Sequence, residues 1–299
     1  MKTLEEVLAA LRSADTSSNL PSNYYRWFDM KDDSQAVVRF LPDKNLENAF
    51  GFLVEKIFHS LTINGEVKTV PCLGMYGESC PICKVSSVFY KDGDKVNGKK
   101  YYKKRSHIAQ VLIMEDPLPP DPQTGMNSVG QVRFISISYQ IYQAMKAELE
   151  TAELDVAPWA YQGGTNFIIR KMRQGDYSTY ANSKFTRKST DLDLETVARI
   201  EEQLIDLSTL LPAHPGRERV EQMLEAAMTG THFDTQQSPQ TEPSLHDGGN
   251  SSWVKSNEPA PVINEAETQQ TADEIDDDEA MAMLAQIRAR QAAKRQAQS

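Results

Sequence analysis

Three cysteines and one histidine form the most specific chemical group in this sequence. Cys80 and Cys83 make a C-x-x-C pair, Cys72 precedes that pair, and His59 lies across a predicted hairpin turn that can return it to the cysteines. Three thiolates and one imidazole complete a tetrahedral zinc site and leave no open position for a catalytic water. The sequence therefore predicts one structural Zn²⁺ ion, whose binding free energy contributes to folding.

Two other interpretations of these residues stay open. The cysteines can be free thiols beside a surface histidine, although an odd number of cysteines within twelve residues favours metal binding over disulfides. His107 can replace His59 as the fourth ligand, but it follows Lys103, Lys104 and Arg105, and these cations disfavour a metal ion. A thiol cluster of this kind suits a reducing cytosol.

Two segments combine many cations with aromatic residues. Residues 84–105 contain eight Lys/Arg and two Asp, and residues 170–188 contain six Lys/Arg and one Asp. Cations neutralise phosphates, and aromatic faces stack on bases that only a single strand exposes. The pattern predicts a single-stranded nucleic-acid ligand, although tyrosines can equally be core residues and lysines a solvated surface. The candidates from this pattern are Tyr90, Tyr101, Tyr102, Lys103, Lys104, Arg105, Arg133, Arg170 and Lys171.

The overall charge conceals an asymmetry along the chain. The 299 residues carry a net charge of −10, but residues 31–190 hold 21 Lys/Arg against 17 Asp/Glu, whereas residues 231–299 hold 5 against 12. A basic body with an acidic tail is a common arrangement in nucleic-acid-binding proteins. There is no run of 18 apolar residues and no signal-peptide pattern at the N-terminus, so we expect no membrane partner.

The body of the chain consists mainly of short strand-like segments. Strands are predicted near residues 36–41, 50–58, 67–70, 106–114, 131–138 and 166–173, and helices near residues 3–12, from 191 onward and near 216–228. The helix after residue 191 is expected to bury Leu194, Val197, Ile200, Leu204 and Leu207. The predicted fold class is mainly β with peripheral helices (α+β), as a small barrel or sandwich.

The C-terminal region has a different composition. Residues 231–273 are rich in Ser, Thr, Gln, Pro and Asn and are predicted to form a disordered linker. An acidic run then precedes a short helix that ends in basic residues. The run can imitate phosphates or bind partner proteins, although a solvating tail is the simpler alternative. The candidate partner-binding residues are Asp276, Asp277, Asp278, Glu279, Met283 and Leu284.

Several stretches together resemble the single-stranded DNA-binding, helix-destabilising proteins of T-even-type bacteriophages. They are residues 35–42 (QAVVRFLP), the His59/Cys72/Cys80/Cys83 spacing with residues 79–83 (SCPIC), residues 103–106 (KKRS) before an apolar strand, and residues 177–185. The resemblance covers about residues 30–215.

The resemblance implies an architecture. It consists of a core at residues 23–230 that forms an oligonucleotide-binding (OB) barrel, with an attached zinc subdomain at about residues 55–105 and a helical segment at about 191–228. An N-terminal arm at residues 1–22 is expected to contact the neighbouring protomer, and residues 231–299 form the disordered acidic tail with its short helix.

The resemblance also implies a function. Such a protein is not an enzyme; it coats and protects single-stranded DNA with little sequence preference during phage DNA replication, recombination and repair, in the cytoplasm of the bacterial host. The implied partners are single-stranded DNA, further copies of the chain assembled along the strand, and phage replication and recombination proteins at the tail. DNA contacts carried over from the family fall on Arg39, Tyr76, Tyr90, Tyr101, Lys103, Lys104, Tyr177 and Tyr180.

Two other functional classes remain as alternatives. A zinc-knuckle adaptor that recruits proteins and binds nucleic acid weakly would expose apolar patches rather than tyrosines beside lysines. A metal-dependent nuclease would need a convergent Asp/Glu/His cluster, which the sequence of the folded part does not suggest, and its predicted metal set has no open position.

Overall fold

A computed structural model describes residues 23–120, 125, 127–151 and 156–233, together with 281, 282, 284–286 and 289. The predicted arm at residues 1–22, the predicted linker after residue 233 and the acidic run 273–279 lie outside these residues. The chain divides into two compact units. Among the described residues, the first unit comprises those within 23–54 and 108–210, and the second comprises those within 55–107, 211–233 and 281–289.

Strands and helices alternate irregularly along the described chain. The strands are β1 (Ser34–Phe40), β2 (Leu53–Ile63), β3 (Glu66–Pro71), β4 (Lys104–Glu115), β5 (Val132–Ile137), β6 (Thr165–Gln174), β7 (Tyr177–Thr179) and β8 (Lys184–Ser189). The helices are α1 (Pro81–Lys91), α2 (Lys95–Tyr101), α3 (Tyr139–Thr151), α4 (Leu194–Gln203) and α5 (Arg217–Thr229). Short 3₁₀ turns occupy Trp27–Asp29, Leu73–Tyr76 and Leu207–Leu210. Among the described residues, no helix has the length and apolarity that a membrane span requires.

The first unit is built around strand β1, which pairs antiparallel with both β4 and β6. Val38 pairs with Ile113 on β4 in one ladder and with Phe167 on β6 in the other. Five consecutive residues of β1 are buried, because the strand is covered on both faces. Phe40 packs edge-on against Phe185 in the apolar core of this unit, which also contains Phe167.

The second unit begins with a hairpin. Strands β2 and β3 pair antiparallel, and Asn64 and Gly65 between them both have positive φ, as a tight two-residue hairpin turn requires. The side-chain Nδ2 of Asn64 donates to the carbonyl of Phe233, which ties the turn to the end of the chain segment that follows α5. Helices α1, α2 and α5 supply most of the remaining apolar core.

The predicted α+β class is confirmed, since the strands pair mostly antiparallel and several helices accompany them in the described part of the chain. The predicted strands near residues 36–41, 106–114, 131–138 and 166–173 are confirmed with shifted ends. Two expectations need correction. Helices α1, α2 and α3 were not predicted. Leu194, which was expected to be buried, is 85% exposed because it begins α4 on the solvent side.

Candidate metal centre and nucleic-acid interface

Cys80 and Cys83 are positioned by the start of helix α1. Cys80 is the N-cap residue of the helix, and Pro81 occupies the first turn, where its missing N–H costs no hydrogen bond. The carbonyl of Cys80 accepts from the N–H of Lys84, so both thiols of the C-x-x-C pair project from one helical turn.

Cys72 and His59 reach the same point from the β2–β3 hairpin. The N–H of Cys72 donates to the carbonyl of Ile57 on β2, which fixes Cys72 immediately after β3. His59 lies on β2, where it is fully buried and pairs with Val70 in the ladder. The turn that returns the chain to Cys80 includes Gly77, whose φ of 77° lies in the left-handed region that glycine adopts freely.

The ligand atoms of these four residues lie within 4.8 Å of one another. In a zinc tetrahedron with Zn–S bonds of about 2.3 Å and Zn–N bonds of about 2.0 Å, sulfurs are about 3.8 Å apart and nitrogen about 3.5 Å from sulfur. Here Sγ of Cys72 and Sγ of Cys83 are 3.6 Å apart. Nε2 of His59 lies 3.5 Å from Sγ of Cys80 and 3.6 Å from Sγ of Cys83. The donor set therefore fits a tetrahedral metal ion.

The surroundings of His59 orient its ring toward the cysteines. Its Nδ1 lies 3.0 Å from the carbonyl oxygen of Tyr101, and an Nδ1–H that donates there leaves the Nε2 lone pair for a metal. Burial by itself lowers the pKa of His59, but hydrogen bonds to Cys72 and Cys80 raise that pKa to about 9.

His107, the alternative fourth ligand, does not join this cluster. It is 1% exposed, and burial followed by the nearby Arg105 lowers its pKa to about 4. Its Nε2 lies 3.8 Å from Oε1 of Glu55, which is a longer contact than a hydrogen bond. Within the described residues, the cluster of His59, Cys72, Cys80 and Cys83 is the one group that can hold a metal ion.

Arg39 has an internal position that differs from the expected DNA contact. Its side chain is 0% exposed, and its Nε donates to Oδ1 of Asn166 at 2.8 Å. Its Nη1 and Nη2 donate to the carbonyls of Ala160 and Thr190. A Cβ on Gly164 would lie 2.3 Å from Nη1, so this glycine makes room for the guanidinium. The expectation is corrected: Arg39 holds three chain segments of the first unit together.

Tyr101 and Tyr180 are also internal. Tyr101 is 3% exposed and stacks on Phe89 at a centroid distance of 5.8 Å. Tyr180 is 4% exposed and meets the ring of Trp27 edge-on at 4.8 Å. Since neither ring has a free face, the expectation that they stack on bases is replaced by a role in core packing.

The second unit keeps a group of aromatic and basic residues at its surface. Tyr90 and Tyr102 are half-buried and meet edge-on at a centroid distance of 6.1 Å. Lys103 beside them is half-buried, and Lys104 and Arg105 are exposed. The guanidinium of Arg105 lies 3.5 Å from a carboxylate oxygen of Glu55, so part of its charge is balanced within the protein. This group is called the Tyr90–Arg105 surface below.

Tyr76, another expected contact, is tied down by hydrogen bonds. The ring is half-buried, and its hydroxyl lies 2.6 Å from the carbonyl of Pro212 and 3.0 Å from that of Ala213. Burial, together with the nearby Cys72 thiol, raises the pKa of Tyr76 to about 12. The hydroxyl therefore stays protonated as a donor and fastens the loop before Cys80 to the segment that leads into α5.

The first unit has its own basic surface on β6, β7 and β8. Arg170 is exposed and donates to the side chain of Gln35, whereas Nζ of Lys171 donates to the carbonyls of Phe28 and Met30. Tyr177 on β7 is half-buried.

Among the other cations of the first unit, the predicted contact is less exposed than three residues that were not predicted. Arg133 is half-buried and donates to the side chain of Gln131, which immediately precedes β5. Lys184, Arg187 and Lys188 on β8 were not among the candidates, although all three are exposed. Their position within the basic segment 170–188 could have identified them as candidate DNA contacts.

The expected partner-binding residues are mostly outside the described part of the chain. Asp276, Asp277, Asp278, Glu279 and Met283 belong to this group. Leu284 is described, and it is 1% exposed within the core of the second unit.

A β-rich α+β fold, a three-cysteine, one-histidine cluster that can hold a metal ion, and exposed cations beside tyrosines are together typical of a nucleic-acid-binding protein. Residues 32–233 match the protein family described as gp32 DNA binding protein like, so the chain belongs to that family. Two relatives are the single-stranded DNA-binding proteins of Enterobacteria phages T4 and T2, each 32% identical over 195 residues. The aligned part covers 61% of this chain and 61% of each relative, and the resemblance inferred from the sequence is confirmed.

Proposed function

We propose that this chain is a non-enzymatic protein that binds single-stranded DNA with little sequence preference. The observation that carries the proposal is the Tyr90–Arg105 surface, in a member of a family described as DNA-binding. Its two tyrosines offer partly exposed rings for stacking, and the adjoining lysines can neutralise phosphates. A duplex would leave these rings without partners, because its bases are stacked internally.

The cluster of His59, Cys72, Cys80 and Cys83 is proposed to hold one structural Zn²⁺. Four protein ligands fill a tetrahedron, so the ion would organise the hairpin and the start of α1 rather than activate a water. The chemistry supplied by the ion is the cross-linking of two chain segments. The residues of this chain do the remaining work, as the carbonyl of Tyr101 fixes the tautomer of His59.

DNA contacts are proposed for the residues that have surface to offer. In the second unit these are Tyr90, Tyr102, Lys103, Lys104 and Arg105, and in the first unit Arg133, Arg170, Lys171 and Tyr177, with Lys184, Arg187 and Lys188 added by the structure. Tyr76 remains a proposed contact through its ring, since its hydroxyl is engaged by backbone carbonyls.

The wider biological assignment belongs to the same proposal. The family relationship supports an OB barrel in the first unit, assembly of several copies along a strand, and action in phage replication, recombination and repair in the host cytoplasm. Recruitment of replication proteins is proposed for the acidic tail, residues 273–284. The division into an arm at 1–22, a core at 23–230 and a tail at 231–299 is proposed on the same basis.

Charge reversal on the Tyr90–Arg105 surface tests the binding proposal. The double variant K103E/K104E is expected to weaken oligo-dT binding at low salt. Each phosphate contact on a single strand contributes about 0.7 to the slope of log K against log salt, so this slope should fall by about 1.4. Fluorescence titration with oligo-dT at several salt concentrations measures both quantities.

The matched control is K146E/R199E, which changes the net charge equally at exposed positions on α3 and α4. It should leave the slope close to that of the unmodified protein. Equal slopes for K103E/K104E and the unmodified protein would show that this surface does not contact the strand. Absence of any oligo-dT binding by the unmodified protein would favour the adaptor alternative.

A further inference from the structure

Leu284 is the buried member of the helical residues that the structure describes near the C-terminus. The described residues 281, 282, 284–286 and 289 are helical, and all of them except Leu284 are exposed. Met281, one turn earlier, is 53% exposed, whereas Leu284 is 1% exposed. Among the described residues of this segment, the side chain of Leu284 is therefore inserted into the protein, while the other five face solvent.

The apolar cluster that contains Leu284 belongs to the metal-bearing second unit. Val220 and Leu224 of α5 and Phe233, which follows α5, are members of the same cluster. Val220 and Leu224 are completely buried, and Phe233 is 9% exposed. The cluster is apolar, so it fits an uncharged leucine rather than the acidic residues that precede it in the chain.

The length of the chain permits this contact within one molecule. Phe233 and Met281 are 48 residues apart, and a segment of that length can extend to about 160 Å. The connecting segment is therefore long enough for the helix to contact its own molecule. Attachment to the same molecule also keeps the local concentration of the helix high, in the range of about millimolar for flexible connections.

We propose that the second unit carries a docking site for the chain's own C-terminal helix, with Leu284 as the anchor. Glu279 is five residues from the anchor, so the chain keeps it within about 18 Å of Leu284. The dock conceals Leu284 from any partner protein that would use this residue as an apolar anchor. A partner protein that binds the tail must then displace the helix from the second unit, so partner binding and docking exclude each other. This competition rests on the proposed role of the tail.

Hydrogen–deuterium exchange on the full-length, metal-loaded protein tests the dock in the absence of DNA. The variant L284D is expected to raise the exchange rate of amides in residues 281–289 at least tenfold, and to raise exchange in α5 as its apolar cover is lost. The matched control M281D places the same charge one turn earlier on the exposed face and should exchange like the unmodified protein. DNA-binding activity does not enter this measurement, so its outcome is separate from that of the proposed function.

Two results would overturn the proposal. The first is identical exchange in L284D and the unmodified protein. The second is protection of residues 281–289 that disappears on dilution, since this would place the helix on a second copy. If L284D loses its bound metal or its cooperative unfolding, the milder L284A replaces it, and an exchange rate unchanged from the unmodified protein in L284A contradicts the dock equally.

Discussion

Replacing Cys83 with serine is expected to abolish metal binding and to unfold most of the second unit. Three ligands would remain, and the buried His59 and two thiols would lose the cation that their arrangement fits. Structural zinc sites in small peptides contribute about 10–16 kcal/mol to folding, which equals or exceeds the whole stability of a typical domain, about 5–15 kcal/mol. Metal content per chain and calorimetric unfolding with and without chelator measure the effect.

The control for this variant is S87A, a substitution one turn further along the same helix. Ser87 is half-buried and lies outside the ligand set, so S87A should retain one metal ion per chain and the unfolding profile of the unmodified protein. Chelator should lower the unfolding temperature of S87A and should leave the unfolding profile of C83S unchanged. A C83S protein that binds no metal and still unfolds as stably as the unmodified protein would refute a structural role for the ion.

Replacing Arg39 with methionine is expected to destabilise the first unit by about 3–5 kcal/mol. The substitution leaves Oδ1 of Asn166 and the carbonyls of Ala160 and Thr190 buried without their charged donor. Methionine fills part of the volume, so the loss is mainly one of hydrogen bonding. Urea unfolding at neutral pH measures the change in the free energy of unfolding.

The comparison variant is R170M, on the strand that pairs with β1. Arg170 is exposed, so R170M should change stability by less than about 0.5 kcal/mol while it weakens oligo-dT binding. Folded R39M, studied at low temperature, should bind oligo-dT almost as well as the unmodified protein. The reverse pattern, with R39M stable but defective in binding, would restore Arg39 as a DNA contact.

The metal cluster was predictable from the sequence because its ligands are rare residue types at short spacing. The hairpin that returns His59 to the cysteines was also predictable, since Asn64-Gly65 favours the positive φ values that this turn requires. The choice between His59 and His107 could only be suggested, because it depends on which β-strand faces the cysteines.

The burial of individual candidates could not be predicted from spacing. Strand β1 is buried on both faces, so alternation gives no indication that Arg39 points inward to backbone acceptors. Tyr101 and Tyr102 are neighbours in the chain, yet one is a core residue and the other lies at the surface. Their difference is set by the tertiary packing of α2 against α1.

The helices that were not predicted carry apolar residues at helical spacing in the sequence. Val85, Val88 and Phe89 on α1 have helical spacing and are all buried, but the C-x-x-C pair favoured an interpretation as a turn. On α3, Ile141 and Met145 form a buried pair one turn apart. Tyr142 and Leu149 on the same helix pack against that core as well, so the helical spacing was present in the sequence and was missed.

The most direct test of the account is a titration of the unmodified, metal-loaded protein with oligo-dT and with a duplex of equal length. We expect oligo-dT to quench the tyrosine and tryptophan fluorescence, to bind more weakly as salt rises, and to bind much more tightly than the duplex at every salt concentration. Equal affinity for the two ligands, or no binding of oligo-dT at low salt, would contradict the claim that this protein binds single-stranded DNA through exposed cations and tyrosines.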